Sequence, residues 1–316
     1  MNLLDLIRTK ANSFPNGQRR QGIDAVILHI ETAEKYWKFA CNSSDSNMFT
    51  DVIYRSNQAF EGTLKEAYEV LADRDPSNKT PYEIEMYLSE NSIFRDRVLS
   101  LFTRYRKDWR NQAAHDYKLF FDEQEAILAI TSVTTFCNIL LDQMLSKSNE
   151  EHEKLKASEF SMEIISSIGN YNTLNLVDKL TALIKRSYYY LMEGENPPQS
   201  KLEFNGQLAG FIKAIDPSLV IRQEVIVDSN KRYQADFVFS SDGESVIVET
   251  QRSKNGSLFL ERAESQLRQY MTSSSHKEGL LVFYKPGIKE SIVDRKEELP
   301  IDSRQQNITY IVPYES

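Results

Sequence analysis

Residues 233–251 read YQADFVFSSDGESVIVETQ. Two runs rich in aromatic and β-branched residues, YQADFVFS and SVIVETQ, flank the turn signal SDGE at 241–244. That composition predicts two antiparallel strands joined by a tight hairpin. Working outward, VIRQEVIV at 220–227 predicts a third strand, and LEFNGQLAGFIKAI at 202–215 a helix before it. Downstream, SLFLERAESQLRQYM has helical spacing, GLLVFY is apolar enough for a fully buried strand, and ITYIVPY predicts a last strand. The order helix, three strands, helix, strand marks an α/β domain.

The half before it has a different period. Ile23, Val26, Ile27 and Ile30 form one helical stripe, and Phe60, Leu64, Tyr68 and Leu71 another. Thr80-Pro81 with Glu83 predicts a helix start. A helix from about Pro81, or from after Ser92, runs toward Trp109. Asp122 with Glu125 predicts another start, for a helix whose apolar face holds Ile127, Ile130, Val133 and Leu140. The polar run SKSNEEHEK at 146–154 reads as the start of a connection, and GENPPQS at 194–200 as the sharpest break. The expected organisation is an all-α bundle over 1–150, a helical connector over 151–196 and an α/β domain over 197–316.

The chain of 316 residues is 41% hydrophobic and 27% charged, an ordinary globular balance. Its net charge of −8 argues against a general basic coat for nucleic acid, though not against a local basic groove. Cys41 and Cys137 form no CxxC pair, and four scattered histidines show no HExxH spacing. A disulfide framework and a zinc finger are disfavoured, and a reducing cytoplasm fits. The N-terminus lacks the apolar core of a signal peptide, and no apolar run is expected to reach membrane-spanning length.

Two constellations carry chemistry. Between Phe94 and Lys118 seven Lys/Arg face three Asp, a net of +4 within an acidic chain. A solvated helix face is the ordinary reading of such a run. His115, however, can move a proton near neutral pH, and Arg110 is a fixed cation suited to phosphate. Asn111 lies one helical turn before His115, whereas Arg110 and His115 stand roughly 140° apart on a regular helix. Either the helix ends or distorts there, or a second copy of the site completes the cleft. In the other half, Asp236 and Glu249 lie on neighbouring strands and can come together across the hairpin. Two such carboxylates can hold Mg²⁺, which takes oxygen ligands. The ordinary reading is a pair of strand-edge acids near a turn, although Asp within a strand is disfavoured unless exposed or functional.

RNQAAH at 110–115 resembles the R-x4-6-H signature of the HEPN family, in the form with Asn directly after Arg. The resemblance covers residues 1 to about 145. It implies a helical bundle that dimerises so that two motifs share one RNase cleft. Arg110 would then stabilise phosphate charge, Asn111 would position and His115 would transfer protons, without a metal. Arg104, Arg106 and Lys107 would contact nucleic acid.

Residues from about Lys201 to Ser316 are similar to the PD-(D/E)xK superfamily, the restriction-endonuclease-like fold. That resemblance places Glu203 in the leading helix, as a further metal ligand beside Asp236 and Glu249. Gln251 occupies the usual lysine position, and Gln266 and Tyr270 match the Q-x(2-3)-Y element of RecB-like members. Gln251 can hydrogen-bond water but brings no cation; Arg252 or Lys254 could supply charge from nearby. Arg252, Lys254, Gln266 and Tyr270 would contact nucleic acid, although segment 251–270 is only mildly basic and Phe259, Leu267 and Tyr270 suit core packing better than base stacking. The implied function is a prokaryotic-type defence or toxin nuclease acting on RNA, DNA or both, dimeric through its helical half. The alternative is a nucleic-acid-sensing scaffold that has lost its chemistry. No P-loop motif is present, so control by ATP would need a separate ATPase; an antitoxin is the other controlling partner considered.

Overall fold

The computed structural model describes residues 2–14, 18–43, 45–91, 93–110, 120–193, 197–228, 230, 233–253, 257–274, 276–286, 288, 292–301 and 304–313. For 18–19, 96–97, 110, 257–259, 292–301 and 304–305 the description is of backbone alone. The chain divides into two compact units, Met1–Lys147 and Ser148–Ser316. The first is helical and the second is α/β, a mixed chain of the class expected.

The first unit contains α1 (Leu3–Ala11), α2 (Gln18–Ser43), α3 (Met48–Ala72), α4 (Pro81–Glu90), α5 (Asp96–Tyr105) and the beginning of α6 (Glu123–Ser158). Both sequence stripes face inward: Ile23, Val26, Ile27, Ile30, Phe60, Leu64 and Tyr68 are buried, with Leu71 half-buried. Phe60 is the hub of an aromatic layer, with ring centroids 4.6 Å from Tyr105, 5.0 Å from Phe136 and 5.7 Å from Phe102. Such a layer adds to area burial through offset ring contacts. Thr80 and Glu83 form a reciprocal capping box at α4. Asp122 and Glu125 do the same at α6, with N–H to oxygen distances of 2.9 and 2.8 Å.

Several expectations change here. Both helix starts considered are used, so residues 81–105 form two helices, one from Pro81 and one from Asp96. Ile130, Val133 and Leu140 are buried, but Ile127 points outward. The run 146–154 is no loop: α6 continues through it, because its polar residues have partners inside. Ser146 accepts from Arg95, and Glu150 accepts from Lys213 and Gln223 at 2.7 and 2.9 Å. Contrary to expectation, α6 is also long and apolar enough to span a membrane by length and composition, although more than half of its apolar window is buried within the protein.

The second unit adds α7 (Ser161–Ser167), a 3-10 turn (Tyr171–Thr173), α8 (Leu176–Glu193) and α9 (Lys201–Ile215). Then follow β1 (Val220–Ile226), β2 (Gln234–Ser241), β3 (Glu244–Arg252), α10 (Ser257–Ser274), β4 (Glu278–Tyr284), β5 (Ile292–Ile301) and β6 (Arg304–Pro313). The strands form one sheet in the order β1-β2-β3-β4-β6-β5. β3, β4 and β6 run parallel, while β1, β2 and β5 pair antiparallel with their neighbours. The hairpin turn is as the sequence predicts: Asp242 and Gly243 both have positive φ, 51° and 84°, as a two-residue turn of matching twist requires.

One sheet face packs Phe237, Phe239, Val246, Val248, Leu280 and Val282 against Leu183, Phe204 and Leu208 from α8 and α9. The other packs Val238, Ile247 and Leu281 against Ala263, Leu267 and Met271 of α10. Ala157, Ile164, Tyr171 and Leu180, all from the segment read as a connector, belong to the first of these cores.

Candidate functional site

The site lies where β2 and β3 part. Their ladder ends at the pair Phe237–Val248, and the next residues are Asp236 and Glu249. Backbone donors beyond a ladder need new acceptors, and the two carboxylates provide them. Asp236 N–H donates to Glu249 Oε1 at 2.9 Å, and Thr250 N–H donates to Asp236 Oδ2 at 2.8 Å. On the other side of β2 the ladder is also disturbed. The β1 pairs skip from Gln223–Phe237 to Val225–Ala235, and the intervening Glu224 has a φ of 50°. A left-handed glutamate costs about 1–2 kcal/mol and is retained only where the surroundings enforce it. Asp236 therefore sits at a point where its strand is released from both neighbours.

The first turn of α9 closes over this fork. Lys201 Nζ lies 2.8 Å from Asp236 Oδ2. The Thr250 hydroxyl lies between Asp236 Oδ2 at 2.9 Å and Asn205 Oδ1 at 2.6 Å. Glu249 is only 2% exposed. Burial first, and the charge of Asp236 second, push its carboxyl well above the usual carboxylate range, with Lys201 partly offsetting them.

Two tyrosines border the pair. Tyr270 on α10 accepts from the Gln266 amide at 2.6 Å. Its phenol is raised by burial and then by Glu249, while Gln266 lowers it. Tyr284, at the end of β4, stacks on Phe204 at 4.3 Å. Burial pushes its hydroxyl up to about 12; Arg252 opposes this, and Glu203 and Asp236 add to it. That hydroxyl is buried and makes no hydrogen bond among the described residues.

The sequence-predicted residues are thus only partly assembled. Asp236, Glu249, Gln266 and Tyr270 come together. Glu203 lies near Tyr284, but its carboxylate caps α9: Oε2 accepts from Gln199 N–H at 2.7 Å and Ser200 N–H at 3.3 Å. Gln251 is half-buried on β3, Arg252 is exposed, and Lys254 lies outside the described residues. Lys201, Asn205, Thr250 and Tyr284 were not singled out by sequence reasoning. A signal existed for Lys201, a cation at the positive end of a helix, where the dipole disfavours it. Thr250 stands between two residues that were chosen.

The pair offers hard oxygen donors of the kind Mg²⁺ takes, while the raised Glu249 carboxyl and the Lys201–Asp236 contact already offset part of its negative charge. Among the described residues no group of three His, Cys, Asp or Glu assembles, so water and substrate phosphate would have to complete the shell.

In the helical unit, Asn111 and His115 lie outside the described residues, and of Arg110 only the backbone is described. Arg106–Arg110 is a π-turn, a widening common at functional sites; residues 113–115, where the helix was expected to end or distort, lie outside the described residues. Arg106 is committed inward, 3.4 Å from buried Glu85. Arg104 lies 3.7 Å from Asp108 on the surface, and Lys107 is exposed. No family model, curated protein or solved structure matches the chain.

Proposed function

We propose that the chain is a nuclease of the defence or toxin type, with a PD-(D/E)xK-like site in its α/β unit and a HEPN-like site in its helical unit. The observation that carries the proposal is the Asp236–Glu249 pair at the β2–β3 fork, with Glu249 buried and Asp236 half-buried, faced by Lys201 and Tyr270. A structural acid has no need of a second carboxyl beside it in a desolvated place, and perturbed carboxyls of this kind cluster at functional sites. Asp236 and Glu249 would hold Mg²⁺, which when bound supplies an activated water and offsets phosphate charge. Gln251 would orient that water, and DNA is the substrate expected.

In the helical unit, His115 would take the proton of a ribose 2′-hydroxyl as its oxygen attacks phosphorus. Arg110 would offset the charge on the phosphoryl oxygens. The leaving 5′-oxygen would gain a proton, giving a 2′,3′-cyclic phosphate and a 5′-hydroxyl. Histidine and arginine suffice for these steps, so no divalent ion is required. A homodimer through the helical unit would bring two such motifs into one cleft. Purified protein tested on labelled RNA, with and without EDTA, should give chelator-resistant cleavage that His115→Ala abolishes; cleavage unchanged in that variant would remove the helical site from the proposal.

The second reading is a nucleic-acid-sensing scaffold. It is favoured by the neutral Gln251 and by the way both carboxylates already serve as acceptors for backbone N–H groups. Absence of cleavage of RNA and DNA, with nucleic-acid binding retained, would select it.

A further inference from the structure

We propose that Lys201, reaching in from the first turn of α9, supplies the positive charge that Gln251 lacks and acts on the phosphodiester as the cation of the α/β site. The inference rests on the nuclease reading of Asp236 and Glu249. Four observations carry it. Lys201 Nζ stands 2.8 Å from Asp236 Oδ2, at the same fork as Glu249. Its side chain is about two-fifths exposed while that of Asp236 is mostly buried, so the ammonium is the member of the pair that can turn to an incoming phosphate. Asp236 would keep its contacts with Thr250 N–H and Oγ1 when that happens. The start of α9 is fixed by the reciprocal Ser200–Glu203 cap, which sets where Lys201 emerges. A lysine at this end of a helix opposes the dipole, so its placement needs the local negative charge it meets.

In the reaction a water oxygen forms the new bond to phosphorus and its proton passes to solvent. The bond from phosphorus to the leaving sugar oxygen breaks, and that oxygen takes a proton from solvent. Lys201 keeps its protons throughout and offsets the charge that accumulates on the phosphoryl oxygens. A fixed cation there acts as other preorganised electrostatic groups do.

The test compares wild type, Lys201→Met, Lys201→Met with Gln251→Lys, and Glu249→Gln. Cleavage of labelled DNA in Mg²⁺, Mn²⁺ binding by calorimetry and Tm are measured for each. Lys201→Met should slow cleavage roughly 100-fold or more. It should bind Mn²⁺ several-fold more tightly, because a neighbouring positive charge has gone. Adding Gln251→Lys should restore part of the rate. Wild-type cleavage by Lys201→Met, with Glu249→Gln inactive, would overturn the inference and leave the nuclease reading standing. Slower cleavage with weaker Mn²⁺ binding would also overturn it, since Lys201 would then only hold Asp236 in place. No cleavage by wild type would remove the nuclease reading and the inference together. Should Lys201→Met fail to fold, Lys201→Gln, which keeps a hydrogen-bond donor toward Asp236, answers the same question.

Discussion

Glu249 is the residue whose environment is hardest to explain by packing alone, and its proton is the most direct handle on it. Its carboxyl is raised in the fold by burial and by Asp236. The folded state therefore holds a proton that the unfolded chain releases at lower pH. Stability from this group is complete below the ordinary carboxylate range and is lost as pH rises through the raised value. The Tm of metal-free protein should fall across that window, and Glu249→Gln should fall less. The gain in Tm on adding Mg²⁺ should grow over the same window, because the cation takes the place of the proton. Matching pH profiles for wild type and Glu249→Gln would show that the group is not perturbed. At this scale the sequence was legible where chemistry needs a rare residue in a strand, as at Asp236. It was silent on Asn205 and Tyr284 and marked Lys201 only by its charge at a helix start; all three join the site from a helix and a parallel strand brought in by tertiary packing.

The elements were easier to read than the contacts between them. β1 to β4, β6, α9 and α10 all follow from period and turn chemistry, and the SDGE turn fixes the hairpin register at Ser241–Glu244. β5 was missed because IVDRKEELPI carries five consecutive charges. It lies at the sheet edge, paired to β6 alone, where charges and proline are tolerated. The continuation of α6 was missed for a related reason: its polar residues are satisfied by partners remote in sequence. Gly210 records the consequence of that helix. A Cβ there would lie 2.2 Å from the Glu150 carbonyl oxygen, so α9 and the end of α6 meet backbone to backbone. Helix propensity alone would favour Gly210→Ala by up to about 1 kcal/mol. The clash should reverse the sign and cost about 1–3 kcal/mol, measured by urea unfolding. A stabilised Gly210→Ala protein would contradict this packing.

For the molecule as a whole, the exposed side of α6 is the place to look for a second copy. From Ala126 to Leu141 the helix carries no charged residue. Leu128 is 55% exposed and Ile127 also faces outward, with Phe120 just before the helix 69% exposed. The Thr131 and Thr135 hydroxyls bond back to the helix backbone at 2.8 Å. Under the proposed homodimer, light scattering should give twice the chain mass for wild type. Leu128→Glu should give a monomer whose own stability changes by no more than about 0.5 kcal/mol, as for other surface substitutions. A monomeric wild type, or a dimer indifferent to Leu128→Glu, would put the association elsewhere.

The central claim is that Asp236 and Glu249 form a Mg²⁺-dependent phosphodiesterase site, and cleavage of labelled DNA by wild type and Glu249→Gln tests it most directly. Wild type should cleave in Mg²⁺ and stop in EDTA, while a folded Glu249→Gln protein should not cleave in either. Cleavage that persists in EDTA, or that survives Glu249→Gln unchanged, would contradict the claim.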